Sequence, residues 1–148
     1  MRATVINYIK MRPDLDTTLT QKNIRPTAMR LLVLDYLLNQ TAAVSLNNLE
    51  TYFMRSDRIT LYRTLKTFEE KGLVHSIDDG SGSVKYALCP DDCSTEEHHD
   101  LHVHFFCNQC RETFCLPKSH IPEIALPENF KTEEVNLMVK GICSKCTR

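Results

Sequence analysis

Two CxxC pairs, Cys107 with Cys110 and Cys143 with Cys146, flank the 32 residues 111 to 142 and constrain this chain more than any other feature in it. A CxxC turn lets two sulfurs reach one ion. Four thiolates suit a tetrahedral structural zinc, because soft sulfur binds that ion tightly and a closed shell leaves no position for a substrate. Packing as small hydrophobes explains an isolated cysteine but explains two such pairs badly. A thioredoxin-like redox role needs a βαβ context around the motif, which the flanking sequence lacks. The wide separation means that a metal here ties residues 143 to 146 back to the start of a segment of ~50 residues, which has too thin a core to do without such a staple.

The total of seven cysteines is odd, and the first 20 residues mix Lys10 and Arg12 with Asp14 and Asp16 without an apolar stretch ending in small residues. A cytoplasmic protein with reduced thiols is therefore expected. No apolar run approaches the ~20 residues needed to cross a bilayer, so no membrane role is expected. Hydrophobic content of 42% and charged content of 25% match a soluble globular chain. The net charge of −1 hides an uneven spread: residues 1 to 75 carry 11 Lys+Arg against 7 Asp+Glu, and residues 76 to 148 carry 7 against 12. A basic first half is compatible with phosphate binding, although many solvated surfaces look the same.

Helical periodicity comes first along the chain. Leu31, Leu34, Leu37 and Leu38 recur at helical spacing between Thr27 and Asn39. A shorter helix is predicted from Leu46 to Phe53 with Ser45 as its N-cap. A third starts from Ser56 or Asp57, runs to about Lys71 and is closed by Gly72. On this third helix Leu61, Leu65 and Phe68 form one stripe, while Tyr62, Arg63 and Lys66 lie opposite, facing solvent. Leu73 to Ile77 and Val84 to Leu88, joined by a Gly-rich turn, read as a hairpin. Helices followed by a hairpin suggest a winged helix, whose last helix enters the major groove of duplex DNA.

The acidic, aperiodic stretch 89–100 reads as a hinge, so the expected division is 1–88 for a winged-helix domain, 89–100 for the hinge and 101–148 for a second domain. In that second domain Leu101, Val103 and Phe105 alternate with His102, His104 and Phe106, and further strands are predicted at Thr113 to Leu116 and Val135 to Ile142. The fold class is α+β. Strand periodicity puts His102 and His104 on one face, where two imidazoles can share a metal. Cys89 and His75 approach them if the hinge folds back, giving a shell of one Cys and three His that is softer than the carboxylate-rich shells of iron or manganese. Cys115, on the strand beside the histidines, is a further candidate ligand, and a buried structural thiol is its alternative. Cys93, His98, His99 and His120 sit in expected loops. No HExxH-type general base is present, so an enzyme is not expected.

Together, Ile24-Arg25-Pro26-Thr27 with Arg30, Ile59 to Leu65 running to Gly72-Leu73-Val74, the run His102 to Cys110, and Cys143-Ser144-Lys145-Cys146 make this chain resemble the ferric uptake regulator family over about residues 20 to 148. The resemblance implies a winged-helix DNA-binding domain, a small α/β dimerisation domain with a four-cysteine structural zinc, and a regulatory metal at the hinge. It implies that Tyr62 and Arg63 reach bases in the major groove and that Arg25 enters the adjacent minor groove. Lys66 is expected to meet phosphate. Iron-sensing and peroxide-sensing members use a histidine just before the second helix and a carboxylate on the second wing strand, where this chain is similar in position but has Ala43 and Ala87. A cysteine after the wing and a ligand on the first wing strand, here Cys89 and His75, resemble the zinc uptake branch, and Cys115 replaces a carboxylate common five residues beyond the first CxxC. The expectation is a homodimeric, zinc-responsive repressor acting on a palindromic operator in double-stranded DNA, with no small organic substrate. Its alternatives are an Fe(2+)- or Mn(2+)-dependent iron or peroxide sensor and a thiol-redox switch at Cys89, Cys93 or Cys115.

Overall fold

A computed structural model describes residues 14–88, 103–116, 122–133 and 135–148. The expected hinge and the residues Leu101 and His102 lie outside them. Helix α1 (Leu15–Gln21) is capped by Asp14, which accepts from the Asp16 N–H, and α2 (Ala28–Leu38) by Thr27. A two-residue strand β1 (Val44–Ser45) leads into α3 (Leu46–Tyr52), where Ser45 and Asn48 form a reciprocal capping box. That exchange satisfies two N–H groups that the first turn leaves without helical partners. Helix α4 (Arg58–Glu70) starts at the Asp57 cap and stops at Gly72, whose φ of +70° is the left-handed turn expected there. The hairpin follows as β2 (Val74–Ile77) and β3 (Lys85–Leu88).

One apolar cluster holds this half together. Leu19, Val33, Leu34, Leu49, Leu61, Leu65 and Phe68 are fully buried in it, with Val74 and Tyr86 contributed by the hairpin. The α4 stripe is as expected, with Thr64 added; its hydroxyl donates to the Thr60 carbonyl at 2.9 Å. On α2 the buried positions are Val33, Leu34 and Leu37, whereas Leu38 is 40% exposed. That corrects the expected stripe: the face of α2 turned to the core is centred on Val33, Leu34 and Leu37, with Leu31 partly buried against it, and Leu38 falls at its edge. Arg58 links α4 to α3 by donating to Asn47 Oδ1 at 3.0 Å and by an ion pair with Glu50.

Strand order in the first sheet is β1-β3-β2, all antiparallel. The second sheet contains β4 (Val103–Cys107), β5 (Thr113–Leu116) and β6 (Leu137–Gly141), with β4 central, antiparallel to β5 and parallel to β6. Register puts His104 beside Cys115 and Met138, and Phe106 beside Thr113 and Lys140. Because side chains alternate along a strand, these form one face. It is turned toward the first sheet: the Ala43 N–H, just before β1, donates to the Thr113 carbonyl at 2.7 Å, and Lys85 Nζ on the hairpin reaches the Arg111 carbonyl at 3.4 Å. The opposite face carries Phe105, Phe114 and Val139, the last 44% exposed. Among the described residues no helix is long and apolar enough to cross a membrane.

The helical cluster dominates the stability of the first half. Leu65→Ala, at a fully buried site on α4, is expected to cost about 2 to 5 kcal/mol in urea unfolding, since surrounding helices collapse only partly into the space left. The same change at exposed Leu32 should cost under about 1 kcal/mol.

Candidate metal centres and nucleic-acid interface

The two CxxC pairs meet. Cys107 ends β4 and Cys110 follows in its turn, while Cys143 and Cys146 follow β6, and their sulfurs all lie within 4.8 Å of one another. Parallel pairing of β6 with β4 is what delivers the second pair to the first, since Cys107 stands opposite Gly141. The Cys110 and Cys143 sulfurs are 3.8 Å apart. A tetrahedron with Zn–S bonds of ~2.3 Å has edges of ~3.8 Å, so the residues fit zinc in donor type, number and spacing.

Charge balance points the same way. Burial opposes ionisation of Cys107, but N–H groups of Cys110, Cys143 and Gln109 outweigh it and bring this thiol down to about 6. One of those bonds is the Cys143 N–H donating to Cys107 Sγ at 3.3 Å. Cys146 is pushed up to about 12, first by burial and then by the neighbouring thiols. In Cys110 the Glu112 N–H favours the thiolate, yet burial and the adjacent Cys107 and Cys143 prevail and raise it. A single thiolate is thus welcome and four are not, unless a cation sits among them.

A second cluster joins the two sheets. His75 from β2, His104 from β4 and Cys115 from β5 place one ligand atom each within 4.8 Å of the others. The two imidazole Nε2 atoms are 3.2 Å apart, and Cys115 Sγ is 3.9 Å from His75 Nε2. Two nitrogens at ~2.0 to 2.1 Å from a tetrahedral zinc stand ~3.3 to 3.4 Å apart, so the imidazole spacing also fits. His75 and His104 are buried. Cys115, which register alone places beside His104, is the member that sequence reasoning ranked behind Cys89 and His102. Cys89, His102, Cys93, His98, His99 and His120 lie outside the described residues. Ala43 and Ala87 line a cavity of about 180 Å³ together with Cys115. No ligating side chain comes from either alanine.

The remaining expected site residues are on the helical half. Tyr62 is 46% exposed and Arg63 is exposed on the same outer face of α4. Lys66 is half-buried, with Nζ donating to Glu69 Oε2 at 2.5 Å; that hydrogen bond raises its pKa. Arg25 is exposed, and its carbonyl accepts from Arg30 Nη1 at 2.8 Å. Two residues that sequence reasoning missed stand between the sheets: Asp79, which is buried, and Thr113, whose hydroxyl donates to it at 2.5 Å. An Asp in a Gly-rich turn is ordinary turn chemistry, and nothing local marks it as a contact to a strand further along.

Comparison with known proteins agrees with this architecture. The profile described as the ferric uptake regulator family matches residues 21–140. The chain is 26% identical over 139 residues to the peroxide operon regulator of Bacillus subtilis, covering 88% of this chain and 90% of that protein. It is 32% identical over 91 residues to the ferric uptake regulation protein of Campylobacter jejuni, covering 59% of this chain and 53% of that protein. Among solved structures, a zinc uptake regulator complexed with zinc and DNA aligns with a TM-score of 0.62 at 23% identity, covering 89% of each chain. With a winged helix, a four-cysteine centre and a family profile spanning most of its length, the chain belongs to the ferric uptake regulator family, whose members are metal-responsive transcription regulators.

Proposed function

We propose that this protein is a homodimeric, zinc-responsive transcriptional repressor of the bacterial metal-uptake kind. The observation that carries the proposal is the convergence of His75, His104 and Cys115 from three strands of two sheets, within 4.8 Å. Two imidazoles and a thiol suit zinc better than iron or manganese, which favour oxygen-rich shells. His75, His104 and Cys115 make three donors, and in this reading either Cys89 or His102, both outside the described residues, supplies the fourth of a tetrahedral shell. Alanine at positions 43 and 87 leaves the cavity beside Cys115 without the histidine and carboxylate expected of iron and peroxide sensors.

When bound, zinc supplies a cross-link between the sheets. The chain's own residues do the rest. His75 sits on the hairpin that packs against α4, so fixing His75 to His104 and Cys115 fixes the orientation of the reading helix relative to the second sheet. Zinc shifts the population toward the DNA-competent orientation only insofar as it binds that orientation more tightly. The half-exposed apolar face of Phe105, Phe114 and Val139 is the surface we assign to the second copy, and a twofold dimer then reads a palindrome with half-sites about one helical turn apart. Tyr62 meets a thymine methyl and Arg63 a guanine edge in the major groove, Arg25 enters the minor groove, and Lys66 meets phosphate after leaving Glu69.

A second reading has a specific observation behind it. The thiol of Cys115 is in the cluster and the chain is similar to a peroxide operon regulator. In that reading oxidation releases the DNA at constant zinc, and a reductant reverses it. Iron or manganese in the second site is distinguished by asking which ion restores DNA binding to protein stripped there.

Intact-protein mass spectrometry is expected to find two zinc ions per chain, falling to one in His75→Ala, which should also lose zinc-dependent binding to a duplex selected from random DNA. Equal affinity for that duplex with and without free zinc would reject the sensing role. Cys143→Ser should instead lose the four-cysteine zinc and with it the protection of the β4 and β6 amides from hydrogen exchange. Replacing Tyr62 or Arg63 with Ala should weaken the selected duplex by about 1 to 3 kcal/mol and relax preference at single base pairs, whereas Lys66→Ala should weaken all sequences alike and flatten the salt dependence.

A further inference from the structure

The two sheets touch in successive layers, and among the described residues metal-ligand chemistry fills one of them. In that layer His75 meets His104 and Cys115. Four residues on from His75, Asp79 meets Thr113, which stands two residues before Cys115 on β5. Asp79 is 1% exposed. Its Oδ2 accepts from the Thr113 hydroxyl at 2.5 Å and from Lys85 Nζ at 2.7 Å, and its Oδ1 accepts from the Ser81 N–H at 2.9 Å. The same lysine is 5.8 Å from the centroid of the Phe106 ring, opposite Thr113 in the sheet.

A buried carboxylate is tolerated only where donors take up its lone pairs. For Asp79, Lys85 and Ser81 come from its own hairpin and Thr113 from the second sheet, so the full set of donors around the buried group exists only with the sheets together. Burial favours its neutral acid, but the hydrogen bonds from Lys85, Ser81 and Thr113 hold its carboxyl well below the usual carboxylate range, and the contact is charged at neutral pH.

We propose that Asp79 is a positioning residue for the His75, His104 and Cys115 site: by gripping Thr113 it holds β2 against β5 at the spacing that brings the His75 imidazole to the Cys115 thiol. The inference rests on the reading of that trio as the sensing site. Asp79 touches no ligand. It acts by meeting, before the ion arrives, part of the entropy cost of bringing three strands into register. Groups hydrogen-bonded directly to metal ligands typically change metal affinity ~10- to 100-fold when removed, and a support acting one contact further out is expected at the low end of that range.

The test is zinc affinity of the full chain, read by competition with a chromophoric chelator, for wild type, Asp79→Asn, Thr113→Val, the double variant and Thr113→Ser. The second zinc should weaken ~10-fold or more in each of the first two variants, no further in the double, and recover in Thr113→Ser, which keeps the hydroxyl. The first zinc should stay bound throughout. Unchanged affinity for the second zinc in both single variants, or losses that simply add in the double variant, would overturn the proposal while leaving the sensing site intact. A wild-type stoichiometry of one zinc would overturn the reading of the trio and this inference with it.

Discussion

Four sulfurs within 4.8 Å of one another repel as anions and ionise together only around a cation. Most of the second half follows from that. Its sheet has three short strands, and the central one, β4, ends on Cys107. A metal that gathers the cysteines therefore fixes the end of β4 to the segment leaving β6, and through them the register of the whole sheet. That register in turn aims His104, Phe106, Thr113 and Cys115 at the hairpin. A closed four-thiolate centre leaves no position for a substrate, and the contact between the sheets depends on the register it holds.

Between the sheets the division of labour is chemical. One layer is made of titratable nitrogen and sulfur donors that gain from a soft divalent ion, and the next of a carboxylate, a hydroxyl and an ammonium that need none. The second kind is exacting. A half-satisfied buried carboxylate is worse than an apolar contact, so the Asp79 layer favours one relative placement of the sheets over slightly shifted ones. The aromatic ring of Phe106, with Lys85, Arg111 and Lys140 all within 6 Å of its centroid, gives the same layer an apolar floor.

What was legible in the sequence was local. Caps at Ser45 and Asp57, the Leu61, Leu65 and Phe68 stripe, Gly72 and the CxxC spacing are each read within a few residues, and the structure has each of them. Helix α1 was not foreseen because its seven residues bury only Leu19, which makes no period. Val33 in place of Leu38 on α2 depends on what packs against that helix, which no single-helix pattern contains. The trio at the second site shows both sides: His75 and His104 were readable as ligand types, whereas Cys115 ranks with them only once strand register is known. Asp79 with Thr113 was out of reach, since the partners are 34 residues apart and each is commonplace where it stands.

The parallel pairing of β6 with β4 has a consequence for how the molecule assembles. As the chain emerges from the ribosome, β4 and β5 can join as a hairpin at once, but the other edge of β4 waits for residues 137–141. During that interval an apolar strand with an unpaired ladder is open to any extended segment nearby, including the same strand of a sibling chain. Newly made protein in cells short of the ion that gathers the thiols would linger in this state longest, so scarcity would act on the yield of folded regulator as well as on its occupancy.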